Sequence, residues 1–255
     1  MSAPGRTGLV IAHLSDLHLG AHDPDTVESV VADVAAVRPA LTVVTGDCTM
    51  RARNRQFRQA RYLIDRLPAP RLVVLGNHDV PLVSVRRLVS PYRRYRLLID
   101  SDLEPVVRLP GLTALGLPTA PAWRWKSGRV SRRQSDSVVA VLGAAPVGDV
   151  RLLALHHPPR ATGLATVAGR GRLLHALAVS RVDLVLAGHT HVPAAGLVGA
   201  TLEVVAGTAT SRRTRGVGRS WTVIRIDEAA VVVEERHQSG SGWRTGPTTH
   251  CPRRS

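Results

Sequence analysis

Cysteine is scarce in this chain of 255 residues, which contains only Cys48 and Cys251. Two cysteines cannot supply the disulfide framework on which small secreted domains depend. We therefore expect Cys48 to behave as a small, buried apolar residue. The chain is long enough to bury a sizeable core without such cross-links, so its stability is expected to come from packing.

Long apolar runs are missing as well. Apolar runs such as residues 9–12 and 152–155 are far shorter than the roughly 20 residues that a membrane-spanning helix needs. Residues 1–8 lack the charged-then-apolar order of a signal peptide. These absences predict no transmembrane helix, and we expect the protein to be cytoplasmic.

Aromatic residues make up only 3% of the chain, and lysine occurs once, at Lys126. Arginine carries nearly all of the positive charge, and the formal net charge is +15. A field of this sign attracts phosphates, nucleic acid or anionic surfaces. The composition favours a small phosphate-ester substrate or nucleic acid as partner without selecting between them.

Strands and helices alternate in the first part of the chain. Residues 9–14, 40–45 and 71–75 are apolar runs of strand length, and apolar residues recur at helical spacing in 25–37 and 54–67. This alternation predicts parallel βαβ units, in which ligands bind at the carboxyl ends of the strands.

The last quarter of the chain has a different pattern. Residues 194–198, 201–206, 221–226 and 229–235 predict consecutive antiparallel strands and hence a second sheet packed on the first. Residues 237–255 are rich in Gly, Ser, Thr, Pro and Arg, which predicts a disordered basic tail. We expect one catalytic domain over residues 1–236, followed by this tail.

Five short motifs rich in aspartate and histidine occur along the chain, and four of them closely follow an apolar run of strand length. Any one of them would mean little alone, because such short strings recur by chance. Together they predict that metal-ligating side chains gather at strand ends. The motifs are Asp16-Leu17-His18, Gly46-Asp47, Gly76-Asn77-His78-Asp79, His156-His157-Pro158 and Gly188-His189-Thr190-His191.

With these motifs, residues 9–206 resemble the calcineurin-like metallophosphoesterase superfamily, and in particular its bacterial branch similar to cyclic-AMP phosphodiesterases. The resemblance implies an α/β fold: a four-layer αββα sandwich of two mixed β-sheets flanked by helices. It also implies a dinuclear metal site at the strand ends and hydrolysis of a phosphate ester by a hydroxide that bridges the metals.

The resemblance assigns seven side chains to two divalent or trivalent ions, with manganese, iron and zinc as candidates. Asp47 would bridge the two ions. The other ligands would be Asp16, His18 and His191 for one ion, and Asn77, His156 and His189 for the second.

Two further residues are catalytic candidates. His78 matches the family's catalytic histidine, which would donate a proton to the leaving alkoxide or stabilise charge on the phosphoryl oxygens. Asp79 would orient His78, an inference from adjacency alone. His157 is expected to support the ligands rather than bind metal, and His13 to be a satisfied core or supporting residue.

The sequence leaves two possible roles open for each of two segments. The Arg-rich segment 81–100 is expected to be helical, and it is either a solvated face or a contact for phosphate or nucleic acid. The loop with Trp123 and Trp125 either stacks a base or ribose or anchors itself on the core through its aromatic rings.

The leading hypothesis is therefore a metal-dependent phosphoesterase that hydrolyses a phosphodiester or phosphomonoester, with a cyclic nucleotide as one candidate substrate. The net charge keeps two alternatives open: a nuclease acting on DNA or RNA, and a non-catalytic scaffold that binds nucleic acid or protein.

Overall fold

The structure is a computed structural model that describes residues 8–253. It begins with the predicted alternation of strands and helices. Its first three strands are parallel neighbours in one sheet. The elements are β1 (Leu9–Leu14), α1 (Pro24–Ala36), β2 (Leu41–Thr45), α2 (Asn54–Arg66) and β3 (Arg71–Val74).

The Arg-rich segment forms two short helices, α3 (Val85–Val89) and α4 (Arg93–Leu98). Pro91 lies between them, and a proline restricts the residue before it and cannot continue a helix. The predicted hairpin follows as β4 (Val106–Leu109) and β5 (Leu112–Leu117).

The rest of the described chain alternates at first and then becomes strand-rich. Within residues 8–253, every helix falls short of the length and apolarity needed to span a membrane. The elements are β6 (Gly128–Arg129), α5 (Arg132–Leu142), β7 (Val150–Leu155), β8 (Val167–Ala168), α6 (Arg170–Val179), β9 (Leu184–Ala187), β10 (Ala194–Val198), β11 (Thr201–Val205), β12 (Ser220–Ile226), β13 (Ala230–Ser239) and β14 (Gly242–Pro252).

Two mixed six-stranded sheets pack face to face. Their strand orders are β14-β13-β12-β1-β2-β3 and β10-β11-β9-β7-β5-β4. Apolar residues from both sheets, such as Ile11, Val43, Leu152 and Leu184, form the layer between them. Helices α1 and α2 cover the outer face of the first sheet, and α5 and α6 that of the second. The predicted four-layer αββα sandwich is confirmed.

The late strands differ from the prediction of one consecutive antiparallel sheet. Strands β10 and β11 join the second sheet, where β11 runs parallel to β9, whereas β12 and β13 join the first sheet beside β1. Alternation of apolar residues identifies a strand but does not specify its neighbours. The pairing is decided by which sheet edge still offers free backbone groups.

The predicted disordered tail is also corrected. Residues 242–252 form β14, which pairs with β13 and completes the edge of the first sheet. An edge strand is held by backbone hydrogen bonds to one neighbouring strand. It can therefore form even though few of its side chains are apolar. Trp243 packs against α1 and donates a hydrogen bond from Nε1 to Ser29 Oγ at 3.2 Å. Cys251 packs against the layer between the sheets. The final residues, 254 and 255, lie outside the described chain.

Candidate metal centre

The five motifs meet at one edge of the sandwich, because each follows the carboxyl end of a parallel strand. They lie directly after β1, β2, β3, β7 and β9. The histidine pair at 156–157 also follows its strand, β7, without a gap. The strand order therefore places the predicted ligands within reach of one another.

Asp16, His18 and His191 form one cluster of buried side chains. His191 Nε2 lies 3.0 Å from Asp16 Oδ1 and 3.0 Å from His18 Nε2. Asp16 Oδ1 is buried and makes no hydrogen bond of good geometry within residues 8–253. A buried carboxylate oxygen without a donor is costly, and a cation at this position would satisfy it.

Asn77, His156 and His189 form a second cluster. Asn77 Oδ1 lies 3.1 Å from His156 Nε2 and 3.0 Å from His189 Nδ1. Asp47 stands between the two clusters, with Oδ2 at 3.4 Å from His156 Nε2 and 3.7 Å from His18 Nε2. The structure therefore brings all seven predicted ligands together, with Asp47 in the position of a bridge.

Backbone carbonyl groups set the tautomers of two of these histidines. His156 Nδ1 lies 2.8 Å from the Thr45 carbonyl oxygen, and His191 Nδ1 lies 2.5 Å from that of Arg213. A carbonyl oxygen can only accept, so each Nδ1 carries hydrogen and donates it. In the neutral rings, the lone pair is then on Nε2, the atom that faces the centre of the site.

The loops that carry the ligands adopt a backbone conformation that L-residues rarely take. Eight non-glycine residues among 8–253 have positive φ, and five of them are predicted ligands. Such a conformation costs roughly 1–2 kcal/mol per residue and clusters at functional sites. The five are Asp16 (φ 51°), His18 (φ 47°), Asp47 (φ 50°), His189 (φ 71°) and His191 (φ 60°).

Two glycines allow these loops to approach one another. A Cβ on Gly76 would lie 2.2 Å from Asp47 Oδ1, and one on Gly188 would lie 1.8 Å from Ser15 Oγ and 2.5 Å from Asp16 Oδ2. Any side chain at either position would displace a ligand loop. The glycines of the Gly-Asn-His-Asp and Gly-His-Thr-His motifs are therefore part of the site.

Residues 9–193 match the family model described as calcineurin-like phosphoesterase. The chain belongs to this family. Its likeness extends to a probable cyclic nucleotide phosphodiesterase of Rhodococcus erythropolis, 29% identical over 204 residues, which are 71% of this chain and 64% of that protein. A cAMP/cGMP dual specificity phosphodiesterase of Mycobacterium tuberculosis is 29% identical over 214 residues, 73% of this chain and 63% of that protein. This chain thus spans less than two thirds of the length of either relative.

The fold is shared with a solved phosphatase. The structure of a purple acid phosphatase from yellow lupin superposes with a TM-score of 0.75 at 12% identity, covering 96% of this chain and 53% of that one. At this identity, the likeness shows the fold alone.

The buried carboxylates of this site are stabilised by positive charge. Burial alone would raise the pKa of Asp47, but the nearby His156 outweighs it and holds that pKa well below its ordinary value. Burial alone would lower the pKa of His156, but Asp47 raises it to about 9. A proton between the two side chains therefore supplies positive charge that a metal ion would supply instead, and metal binding would release that proton.

His189 has the opposite electrostatic setting. Burial, aided by the neighbouring His156, lowers its pKa to about 4. The ring is therefore neutral at physiological pH, and an unprotonated nitrogen is the form that ligates a metal. Its Nδ1 is the ring atom that faces Asn77 and His156.

His78 lies at the edge of the candidate metal site in a single turn of 3-10 helix, Asn77–Asp79. Its ring is half-buried and stands edge-on to His18, with the ring centroids 4.8 Å apart. His78 Nδ1 donates to the Met50 carbonyl oxygen at 2.9 Å. Nε2 makes no hydrogen bond within residues 8–253, so the ring is oriented at one nitrogen and available at the other.

Asp79 does not orient His78, contrary to the prediction from adjacency. Its carboxylate accepts hydrogen bonds from the backbone N–H groups of Gly76 (2.9 Å), Cys48 (3.1 Å) and Thr49 (2.8 Å). It also accepts one from Thr49 Oγ1 at 3.0 Å. Asp79 therefore joins the loop after β2 to the loop after β3, and Met50 takes the role expected of it.

Both ring nitrogens of His157 have partners outside the seven predicted ligands. Nδ1 contacts Thr119 Oγ1 at 2.8 Å, and Nε2 donates to the Lys126 carbonyl oxygen at 2.9 Å. Its ring lies 4.4 Å from that of His189, centroid to centroid. His13 is buried beside the site, with Nε2 2.9 Å from Thr45 Oγ1.

The sequence could not reveal the groups that aim the histidines. The oxygens at Thr45, Met50 and Arg213 belong to the main chain, so the residue type at these positions carries no signal. One signal was available for Asp79, since an aspartate two residues after an Asn ligand can cap the N–H groups of its own turn.

Proposed function

We propose that the chain is a metal-dependent phosphoesterase that hydrolyses a phosphodiester, with cyclic nucleotides as the substrate class. The proposal is carried by one observation: the six His and Asp ligands cluster, Asn77 Oδ1 contacts two of them, and the Nδ1–H groups of His156 and His191 are already engaged by carbonyl groups. The substrate class is supported by the names of the two curated relatives.

The residues present fit two divalent ions. Asp16, His18 and His191 would hold one ion, Asn77, His156 and His189 would hold the other, and Asp47 would touch both. Imidazole and carboxylate ligands of this kind suit manganese, iron or zinc. When bound, the ions would polarise the phosphoryl oxygens and lower the pKa of coordinated water.

The chain itself supplies proton transfer. His78 Nε2 is free, and the contact between Nδ1 and the Met50 carbonyl fixes the ring orientation. We assign His78 to protonating the leaving oxygen, which would otherwise depart as a strongly basic alkoxide. Asp79 has an indirect role, because its hydrogen bonds hold together the two loops that carry Asp47 and His78.

A substrate screen tests this proposal. Protein stripped with a chelator and reloaded with Mn²⁺, Fe²⁺ or Zn²⁺ would be assayed on cyclic nucleotides, a generic phosphodiester, a phosphomonoester and an oligonucleotide. We expect metal-dependent hydrolysis of the cyclic nucleotides. Faster cleavage of the oligonucleotide would favour a nuclease, and no turnover of any ester by the metal-loaded protein would refute the proposal.

A further inference from the structure

The short helix α3 exposes its apolar face. Val85, Leu88 and Val89 occupy one face at spacings of three and four residues, and all three are exposed, Leu88 by 82%. Val83, just before the helix, is 80% exposed. Arg87 is buried on the inner side. In a helix that packs on its own core these roles would be reversed, so the exposed face is available to a partner.

Arg87 fixes this orientation. Its guanidinium donates to the Pro81 carbonyl oxygen at 2.6 Å and to the Arg124 carbonyl oxygen at 2.7 Å. It also lies over the ring of Trp125, 5.6 Å from the centroid. The buried charge thus ties α3 to the loop that carries the tryptophans, and it holds the apolar face of α3 outward.

The tryptophan loop presents a second exposed apolar surface. Trp123 and Trp125 are exposed by 63% and 54%, so they do not anchor the loop in the core, which was one of the two interpretations of the sequence. The chain's other tryptophans pack against α1: Trp221 is fully buried and Trp243 partly so. Trp221 also donates a hydrogen bond from Nε1 to Asp33 Oδ2. Exposed indole rings of this kind are enriched at membrane–water interfaces.

A third loop adjoins the tryptophan loop. Strand β6, which ends the tryptophan loop, pairs with β8, and the exposed Leu164 lies just before β8. We call residues 82–89, 122–127 and 162–166 the apolar rim. It holds seven of the fourteen large hydrophobic residues that are exposed within residues 8–253.

The charge around the apolar rim has one sign. Residues 80–99, 105–135 and 150–182 contain no Asp or Glu. Besides the buried Arg87, the rim carries Arg86, Arg124 and Lys126, and none of these four forms an ion pair with a carboxylate in the part of the chain that the structure describes. The rim is thus both apolar and cationic.

We propose that the apolar rim docks the protein on an anionic membrane surface. Exposed aliphatic and indole side chains beside unpaired basic groups match the boundary between anionic headgroups and acyl chains. A second copy placed symmetrically would oppose like charges across the interface. Nucleic acid would satisfy the arginines but would leave Val85, Leu88 and Val89 uncovered. The rim adjoins the metal centre through the contact between Lys126 and His157, so docking places that centre beside the headgroups.

Vesicle co-sedimentation of the full chain tests the proposal without requiring turnover. The vesicles would be phosphatidylcholine alone or phosphatidylcholine with about one third phosphatidylglycerol. We expect binding to the anionic vesicles, weakened by salt, and at least a roughly tenfold loss of affinity in the variant Val85→Ser/Leu88→Ser/Val89→Ser. The matched control Val139→Ser/Val147→Ser also removes exposed valines, away from the rim, and should bind like the parent protein.

Circular dichroism would confirm that both variants are folded, and sedimentation equilibrium and oligonucleotide binding would be measured on the same samples. Equal vesicle binding by the triple variant and the parent, or no binding of the parent to anionic vesicles, would overturn the proposal. If the parent protein is a dimer and the triple variant is a monomer, the rim is a dimer interface, which would overturn the membrane proposal. Oligonucleotide binding without vesicle binding would assign it to nucleic acid, again overturning the membrane proposal. None of these outcomes bears on the proposed phosphoesterase activity.

Discussion

The Nε2 atoms of His18 and His191 lie 3.0 Å apart in the buried centre of the site. His191 Nδ1 carries the hydrogen that it donates to Arg213, so a neutral His191 presents an Nε2 lone pair to His18. His18 can donate from Nε2 to this lone pair, or a metal ion can bind both nitrogens. Asp16 Oδ1 at the same point has no donor of good geometry, and a metal ion would satisfy all three atoms at once.

His78 and Asp79 make different contacts, so substitutions at the two positions should have different effects. Replacing His78 with Gln should lower kcat roughly 100- to 10,000-fold, the usual contribution of a general acid. Bound metal and the midpoint of thermal unfolding should stay near those of the parent, because the His78 ring is half-buried and makes one side-chain hydrogen bond. Steady-state kinetics with elemental analysis would check this, and loss of metal together with kcat would show that His78 is a ligand instead.

The matching change at Asp79 should act on stability. Asp79→Asn turns an NH₂ group toward backbone N–H donors that now point at a carboxylate, which should cost about 2–4 kcal/mol. Chemical denaturation would measure the loss. An unchanged unfolding free energy together with a large fall in kcat would instead restore the role that adjacency suggested, the orientation of His78.

Glycine at position 188 is expected to be indispensable. Gly188→Ala would place a Cβ 1.8 Å from Ser15 Oγ, so the loop after β1 must shift and take Asp16 with it. We expect the variant to lose metal affinity by at least about tenfold. Gly171→Ala is the matched control, because a Cβ there meets nothing within 4 Å and the position lies in α6, where alanine should stabilise by up to about 1 kcal/mol. Equal metal affinity in the two variants would contradict this account of Gly188.

His13 should make stability depend on pH. Burial lowers its pKa from 6.5 to about 3, against the charge of Asp16. Protonation therefore favours the unfolded chain, and the stability contributed by neutral His13 is complete above pH 6.5 and lost as the pH falls toward 3. Between about pH 7.5 and 5.5 this loss is ~1.4 kcal/mol, which His13→Gln should not show. Denaturation curves of both proteins at the two pH values would measure it, and parallel losses would contradict the buried, neutral state of His13.

Features that depend on side-chain type can be predicted from the sequence. Features that depend on main-chain contacts or on strand pairing cannot. The candidate ligands and the order β1-α1-β2-α2-β3 can be predicted from sequence, because residue type marks the first and periodicity the second. The assignment of β11 and β12 to different sheets cannot be predicted, since strands of equal pattern compete for the same edges. The helical character of residues 81–100 is predicted, but the exposed apolar face of α3 is not, because periodicity alone assigns such a face to the core.

We propose that the seven residues hold two metal ions and that Asp47 would contact both. This proposal is tested most directly by counting the ions bound per chain, by elemental analysis after the chelator-treated protein is reloaded with Mn²⁺ and dialysed. We expect two ions for the parent and at most one for Asp47→Asn, whose amide oxygen can still accept the hydrogen bond from the His78 N–H but lacks the negative charge of Asp47. One ion or none in the parent, or two ions in Asp47→Asn, would contradict it.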